Sequence, residues 1–230
     1  MKIHGLQKMT LLDFPGKVAC TVFLGGCDFR CPYCHNFELV DGSAPAVMEE
    51  GELFAFLEKR RGLLDGVAIT GGEPCLRPDL MDMMRRIKDM GYAVKLDTNG
   101  NHPDRLEAIL SAGLADYVSM DIKNSPEKYA ATVGLEAIDL APVRASAKLL
   151  MAGGTDYEFR TTVVDELHAE ADFEAIGRWI AGARRYFLQA FEDRDSVPFA
   201  GLHAPSGEKL RRCADAARPF VPDTRLRGVD

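Results

Sequence analysis

Residues 18–36 read VACTVFLGGCDFRCPYCHN: a β-rich apolar run, two glycines, then cysteines at 27, 31 and 34. The run has the composition of a buried strand, and residues suited to chemistry follow it at once. The same phrase recurs downstream. GVAIT (residues 66–70) precedes Gly71-Gly72-Glu73-Pro74, AVKLDT (93–98) precedes Asn99-Gly100, and YVSMDI (117–122) precedes Lys123. Two further runs, YEFRTTVV (157–164) and YFLQAF (186–191), carry Arg160 and Gln189. Between the runs, residues 50–61, 78–90, 103–112, 142–152 and 170–184 show helical periodicity, several opening near a proline and closing at Gly91, Gly113 or Gly153.

Strands alternating with helices predict parallel βα units joined by right-handed crossovers. A closed eight-unit barrel takes about 250 residues. Here the series stops at six units and a short helix at residues 206–217, so an α/β fold is expected, an open partial (β/α)6 barrel of parallel strands with helices outside. A doubly wound sheet has the same count. The expected organisation is one domain over residues 1–230, with a core at about 16–192 and a helical C-terminal extension at 193–230. In either arrangement ligands belong at the carboxyl ends of the strands, where the polar residues above would gather on one rim.

The 230 residues are 47% hydrophobic and 27% charged, with a net charge of −7. That balance suits a packed core and argues against nucleic acid as a partner, since phosphate binding wants a basic surface. The opening MKIHGLQKMTLLDFPG lacks the apolar core of a signal peptide, and no run is long enough to span a bilayer. A soluble, cytoplasmic protein that binds no membrane is expected.

In a reducing compartment six cysteines are not a disulfide framework. Cys20, Cys75 and Cys213 are scattered and read as small buried hydrophobes, so no auxiliary cluster is expected. Cys27, Cys31 and Cys34 could join His35 in a Cys₃His zinc site. Against that, Cys34 and His35 are adjacent, and no second ligand pair is present. An iron–sulfur cluster explains three thiols better: one iron is left without a protein ligand and is open to a small molecule.

Cys-x₃-Cys-x₂-Cys with Tyr33 before the last cysteine resembles the radical S-adenosylmethionine superfamily, and Gly71-Gly72-Glu73 after the next strand strengthens the likeness. The CHN context of Cys34, with Asp97-Thr98-Asn99-Gly100 and Asp121-Ile122-Lys123, is similar to activating enzymes of glycyl radical enzymes. Residues 5–36 look most like the family that activates anaerobic ribonucleoside-triphosphate reductase, and the likeness runs to about residue 191. It implies a [4Fe-4S] cluster on Cys27, Cys31 and Cys34. It also implies S-adenosylmethionine bound by Tyr33, Cys34, His35, Gly71, Gly72, Glu73, Asp121, Ile122, Lys123 and Arg160. A monovalent cation at Asp97, Thr98 and Asp121 is implied from some members. The implied activity is reductive cleavage of S-adenosylmethionine to a 5′-deoxyadenosyl radical, which installs a glycyl radical on a partner, an anaerobic ribonucleotide reductase. The electron would come from a donor such as flavodoxin or ferredoxin. One departure stands out: some activases carry a cofactor-touching histidine after the last strand, whereas LQAFEDRDSV (188–197) has none, leaving Gln189 or Phe191 in its place. Two other readings stay open, a radical enzyme acting on a small molecule, like 7-carboxy-7-deazaguanine synthases, and a zinc-binding module without catalysis.

Overall fold

Runs of apolar and β-branched residues with few charges can pair on both edges and pack on both faces only inside a parallel sheet. The computed structural model, which describes residues 1–228, forms them into an α/β fold with a mostly parallel sheet. The chain divides into two units that interleave along the sequence. Met1–Asp28, Glu38–Thr98 and His102–Val118 make the first; Phe29–Phe37, Asn99–Asn101 and the chain from Ser119 onward make the second.

In the first unit, strands β1 (Lys2–Ile3), β2 (Gly5–Thr10) and β3 (Ala19–Leu24) lead to the short helix α1 (Phe37–Asp41, its first residue in the second unit). Then come β4 (Met48–Glu49), α2 (Glu50–Glu58), β5 (Gly66–Gly71), α3 (Leu80–Asp89), β6 (Ala93–Thr98) and α4 (Pro103–Ser111). β3 pairs parallel with β5, and β5 with β6, in unbroken register. β2 lies antiparallel to β3, with an irregularity between Gln7 and Thr10. β1 and β4 form a separate antiparallel pair. Helix α3 places Leu80, Met83, Met84 and Ile87 on its buried side, the spacing of one apolar stripe.

Strand β7 (Tyr117–Asp121) shares its residues between the units. The second unit continues with α5 (Tyr129–Thr132), α6 (Ala141–Ala152), β8 (Asp156–Val163), α7 (Glu170–Trp179), β9 (Tyr186–Ala190), α8 (Gly207–Ala217) and β10 (Thr224–Arg227). β8, β9 and β10 pair parallel in sequence order. Helix α7 is shorter than its periodicity predicts because Gly182, at φ +85°, turns the chain and donates its N–H to Phe220 O (3.1 Å). Among the described residues no helix is long and apolar enough to cross a membrane.

β2 and β10 were not legible as strands. Both are edge strands rich in polar residues (GLQKMT and TRLR), so neither shows an apolar run. β10 nevertheless brings Arg227 to Glu158, which is 1% exposed, through two bonds of 2.6 and 2.7 Å. Ser119 Oγ also donates to that carboxylate (3.0 Å), and the guanidinium lies 3.6 Å from the Phe187 ring centroid. Breaking a buried ion pair costs about 3–5 kcal/mol, and screening of the partly exposed arginine reduces this to about 2. Arg227→Met should therefore lower Tm by roughly 4–8 °C in thermal unfolding. A Tm within a degree of the parent would show that Glu158 does not depend on this strand.

Candidate functional site

In the second unit, alternate residues of β7 and β8 form a polar ladder, as the two-residue period of a strand dictates. Asp121 ends β7 and accepts from Arg160 Nε and Lys123 Nζ, both at 2.8 Å. Burial alone would push the Asp121 carboxyl up, but the two cations hold it well below the usual carboxylate range. Burial would likewise pull Lys123 down, and Asp121 instead holds its ammonium well above the ordinary lysine value. Both cations thus serve the same carboxylate. The backbone of Lys123 is fixed too: His168, 2% exposed, donates from Nε2 to its carbonyl (2.9 Å) and accepts Val164 N–H on Nδ1 (3.1 Å). Ile122 is fully buried; its N–H donates to Arg160 O (2.8 Å) and its carbonyl accepts Thr161 Oγ1 (2.6 Å).

The loop from Phe29 to Phe37 carries Cys31 and Cys34 in this unit. Arg30 N–H donates to Val133 O (2.8 Å), and the loop turns where Cys34 N–H meets Cys31 O (3.1 Å). Gly134 makes that anchorage possible: its φ is +71°, and a Cβ there would lie 2.1 Å from Arg30 O. Burial pushes the Cys31 thiol up to about 11 and raises Cys34, while Lys123 opposes the shift at both. Tyr33 is 4% exposed and packs edge-on to Phe191, with ring centroids 6.5 Å apart; its hydroxyl has no hydrogen-bond partner among the described residues. His35 stacks on the same Phe191 at 5.4 Å and donates from Nε2 to Glu192 O (2.6 Å). Phe191 thus braces both residues around Cys34, while Gln189 donates to Thr162 Oγ1 (2.9 Å).

In the first unit, Gly71 and Gly72 are required by the chain's own packing. Gly71 has φ +122°, and a Cβ there would sit 2.3 Å from Leu24 O; one on Gly72 would sit 2.0 Å from Gly26 O. The expected reason, close approach of backbone to a ligand, is therefore not needed to explain either glycine. Gly72 N–H donates to Leu24 O (2.9 Å) and Glu73 N–H to Gly26 O (2.7 Å), tying this segment to the loop that presents Cys27. Glu73 is 1% exposed and accepts from Cys75 N–H (2.8 Å) and Thr98 Oγ1 (3.0 Å).

Asp97 and Thr98 are consecutive in β6 and take opposite faces: Asp97 ion-pairs with Lys95, two residues back, whereas Thr98 serves Glu73. Cys20, Cys75 and Cys213 are buried as expected, and burial pushes Cys20 up to about 12 and Cys213 to about 11. Among the described residues no three His, Cys, Asp or Glu side chains converge as they would on one metal ion. Thiols that each take a different iron of a cluster do not converge in that way. The donor set fits such a cluster: none of the three thiols is in a disulfide, and Cys31 and Cys34 lie in the field of a cation.

Sequence reading missed several working residues. Asp28 accepts from His102 Nε2 (3.1 Å), and this hydrogen bond to the carboxylate raises the imidazole above its ordinary value against the pull of burial. The two are 74 positions apart, so no local pattern announces the pair. Gly134 and His168 were equally silent, although a glycine just past a helix was a weak signal for the first.

Residues 21–179 match the family model described as the radical SAM superfamily. The chain is 29% identical over 234 residues to a Methanocaldococcus jannaschii protein provisionally named a glycyl-radical enzyme activating enzyme, covering 99% of this chain and 96% of that one. It is 34% identical over 128 residues to pyruvate formate-lyase-activating enzyme of Clostridium pasteurianum, 54% of this chain and 52% of that. Against 7-carboxy-7-deazaguanine synthase of Thermococcus kodakarensis it is 31% identical over 163 residues, 62% of each. A solved domain of pyruvate-formate lyase-activating enzyme from Bacteroides vulgatus has a similar fold, with a TM-score of 0.57 and 16% identity over 71% of this chain and 99% of that one.

Proposed function

The chain belongs to the radical SAM superfamily, and from that premise we propose that it activates a glycyl radical enzyme, with an anaerobic ribonucleotide reductase as the partner. Membership implies a [4Fe-4S] cluster and S-adenosylmethionine, which when bound supply one-electron cleavage of a carbon–sulfur bond and abstraction of a hydrogen atom. A flavodoxin or ferredoxin is the class of donor that provides the electron. Cys27, Cys31 and Cys34 would hold the iron.

The observation that carries the reading is the array Lys123–Asp121–Arg160 in the same unit as Cys31 and Cys34. An amino acid's carboxylate would meet there two cationic groups that Asp121 already holds in place, so little ordering is left to do. Phe191, Tyr33 and His35 give the cysteine loop an aromatic wall. The support for an activase is the full-length likeness to the archaeal protein named above.

The test is anaerobic incubation of the iron-loaded, reduced protein with S-adenosylmethionine and a candidate reductase, followed by electron paramagnetic resonance. A glycyl doublet on the reductase is expected. Release of 5′-deoxyadenosine without a doublet on any candidate would favour the second reading, a synthase acting on a small molecule, to which the likeness to the Thermococcus enzyme points. A colourless protein holding zinc alone would end both.

A further inference from the structure

The residue after the first cysteine is an aspartate turned back onto it: the Cys27 thiol donates to Asp28 Oδ1 across 3.9 Å. The other carboxylate oxygen accepts from His102 Nε2 at 3.1 Å. His102 is the residue before Pro103, at the point where α4 begins, so its backbone is set by the helix. The Asp28 and His102 side chains are 21% and 27% exposed, which leaves their field only partly screened by water. A carboxylate is an unfavourable neighbour for a sulfur that must bind iron as a thiolate, because two negative charges then meet. An imidazole N–H on the far oxygen holds the carboxylate in place and takes up part of its charge.

We propose that Asp28 and His102 form a positioning pair that sets the reduction potential of a cluster bound through Cys27. The inference rests on the cluster of the proposed function and on no particular substrate. Negative charge beside the cluster makes an added electron more costly, whereas hydrogen bonding and positive charge near its sulfurs make it less so. The two members therefore act with opposite sign: Asp28 lowers the potential and His102 restrains that effect.

The experiment is a redox titration of the iron-loaded full chain, followed by the electron paramagnetic resonance of the reduced cluster, for the parent, Asp28→Asn, His102→Ala, His102→Gln and the double variant Asp28→Asn/His102→Ala. Asp28→Asn should raise the reduced-to-oxidised ratio at fixed poise about tenfold, a shift of ~59 mV for one electron. His102→Ala should lower it several-fold. His102→Gln, which keeps an N–H donor, should return part of the way. The double variant should match Asp28→Asn, because without the carboxylate the histidine has nothing to restrain. A merely structural pair would lower Tm or iron content in every variant without this reversal of sign. Equal potentials in Asp28→Asn, His102→Ala and the parent would overturn the inference while leaving the cluster intact. Should Asp28→Asn fail to hold iron, the histidine variants decide by themselves. If the parent holds no iron, the underlying reading fails instead.

Discussion

Gly72→Ala is expected to destabilise the protein by about 3 kcal/mol or more and to empty it of iron, since overpacking that only backbone movement can relieve lies at the top of the 1–3 kcal/mol range or above. The new methyl would lie 2.0 Å from the Gly26 carbonyl oxygen, which is backbone and has no rotamer to yield. That same oxygen accepts the Glu73 N–H bond, so moving it also breaks the tie between the Gly-Gly-Glu segment and the loop bearing Cys27. Gly51 is the control. It lies within α2 with nothing within 4 Å of an added methyl, and Gly51→Ala should hold or gain about 0.5–1 kcal/mol. Thermal unfolding and iron content after reconstitution check both. A Gly72→Ala protein with the parent's Tm and iron would refute the close approach on which this half of the site is built.

Asp121→Asn should cost about 3 kcal/mol, near the low end of the 3–5 expected when a buried pair loses one partner. The amide would take from Lys123 and Arg160 the carboxylate that both of them pair with. The pH dependence carries the sharper test. In the parent the depressed Asp121 carboxyl stabilises the fold at every pH above its unfolded value, and this is lost only as pH falls through the folded value. The raised Lys123 ammonium stabilises at every pH below its own unfolded value, and this is lost only as pH rises through the folded one. The trio's contribution is thus flat between about pH 4 and pH 10. In Asp121→Asn burial acts on Lys123 without a counter-ion and drives its folded value below the unfolded one, so the variant should regain stability as pH rises. Denaturant unfolding across that range would show it. A variant whose loss stays constant with pH would mean that Lys123 had found another carboxylate.

The cysteine-bearing loop and the strands that flank it were legible because each signal is local. Apolar runs such as ACTVFL and GVAITG announce buried strands, and the phrase of strand, glycine and polar residue repeats along the chain. Cys20, Cys75 and Cys213 were correctly read as buried because they have no ligand-like spacing. Edge strands escaped notice, since β10 is the four residues TRLR, two of them arginine, and shows no apolar run. The polar pairings escaped for a different reason. Which carboxylate meets which cation depends on strand register, and Glu158 finds Arg227 only once β10 has been added beside β9.

By itself the sequence determined the α/β alternation, the three thiols and the identity of the charged residues at the strand ends, because periodicity and spacing are properties of neighbouring residues. Only the tertiary structure decided that Gly71 and Gly72 are demanded by backbone packing, that Phe191 braces Tyr33 and His35, and that Asp28 answers to His102. Those outcomes join residues far apart in the chain, and burial makes their partners obligatory: a polar group or a close approach withdrawn from water is tolerated only where the fold supplies its complement.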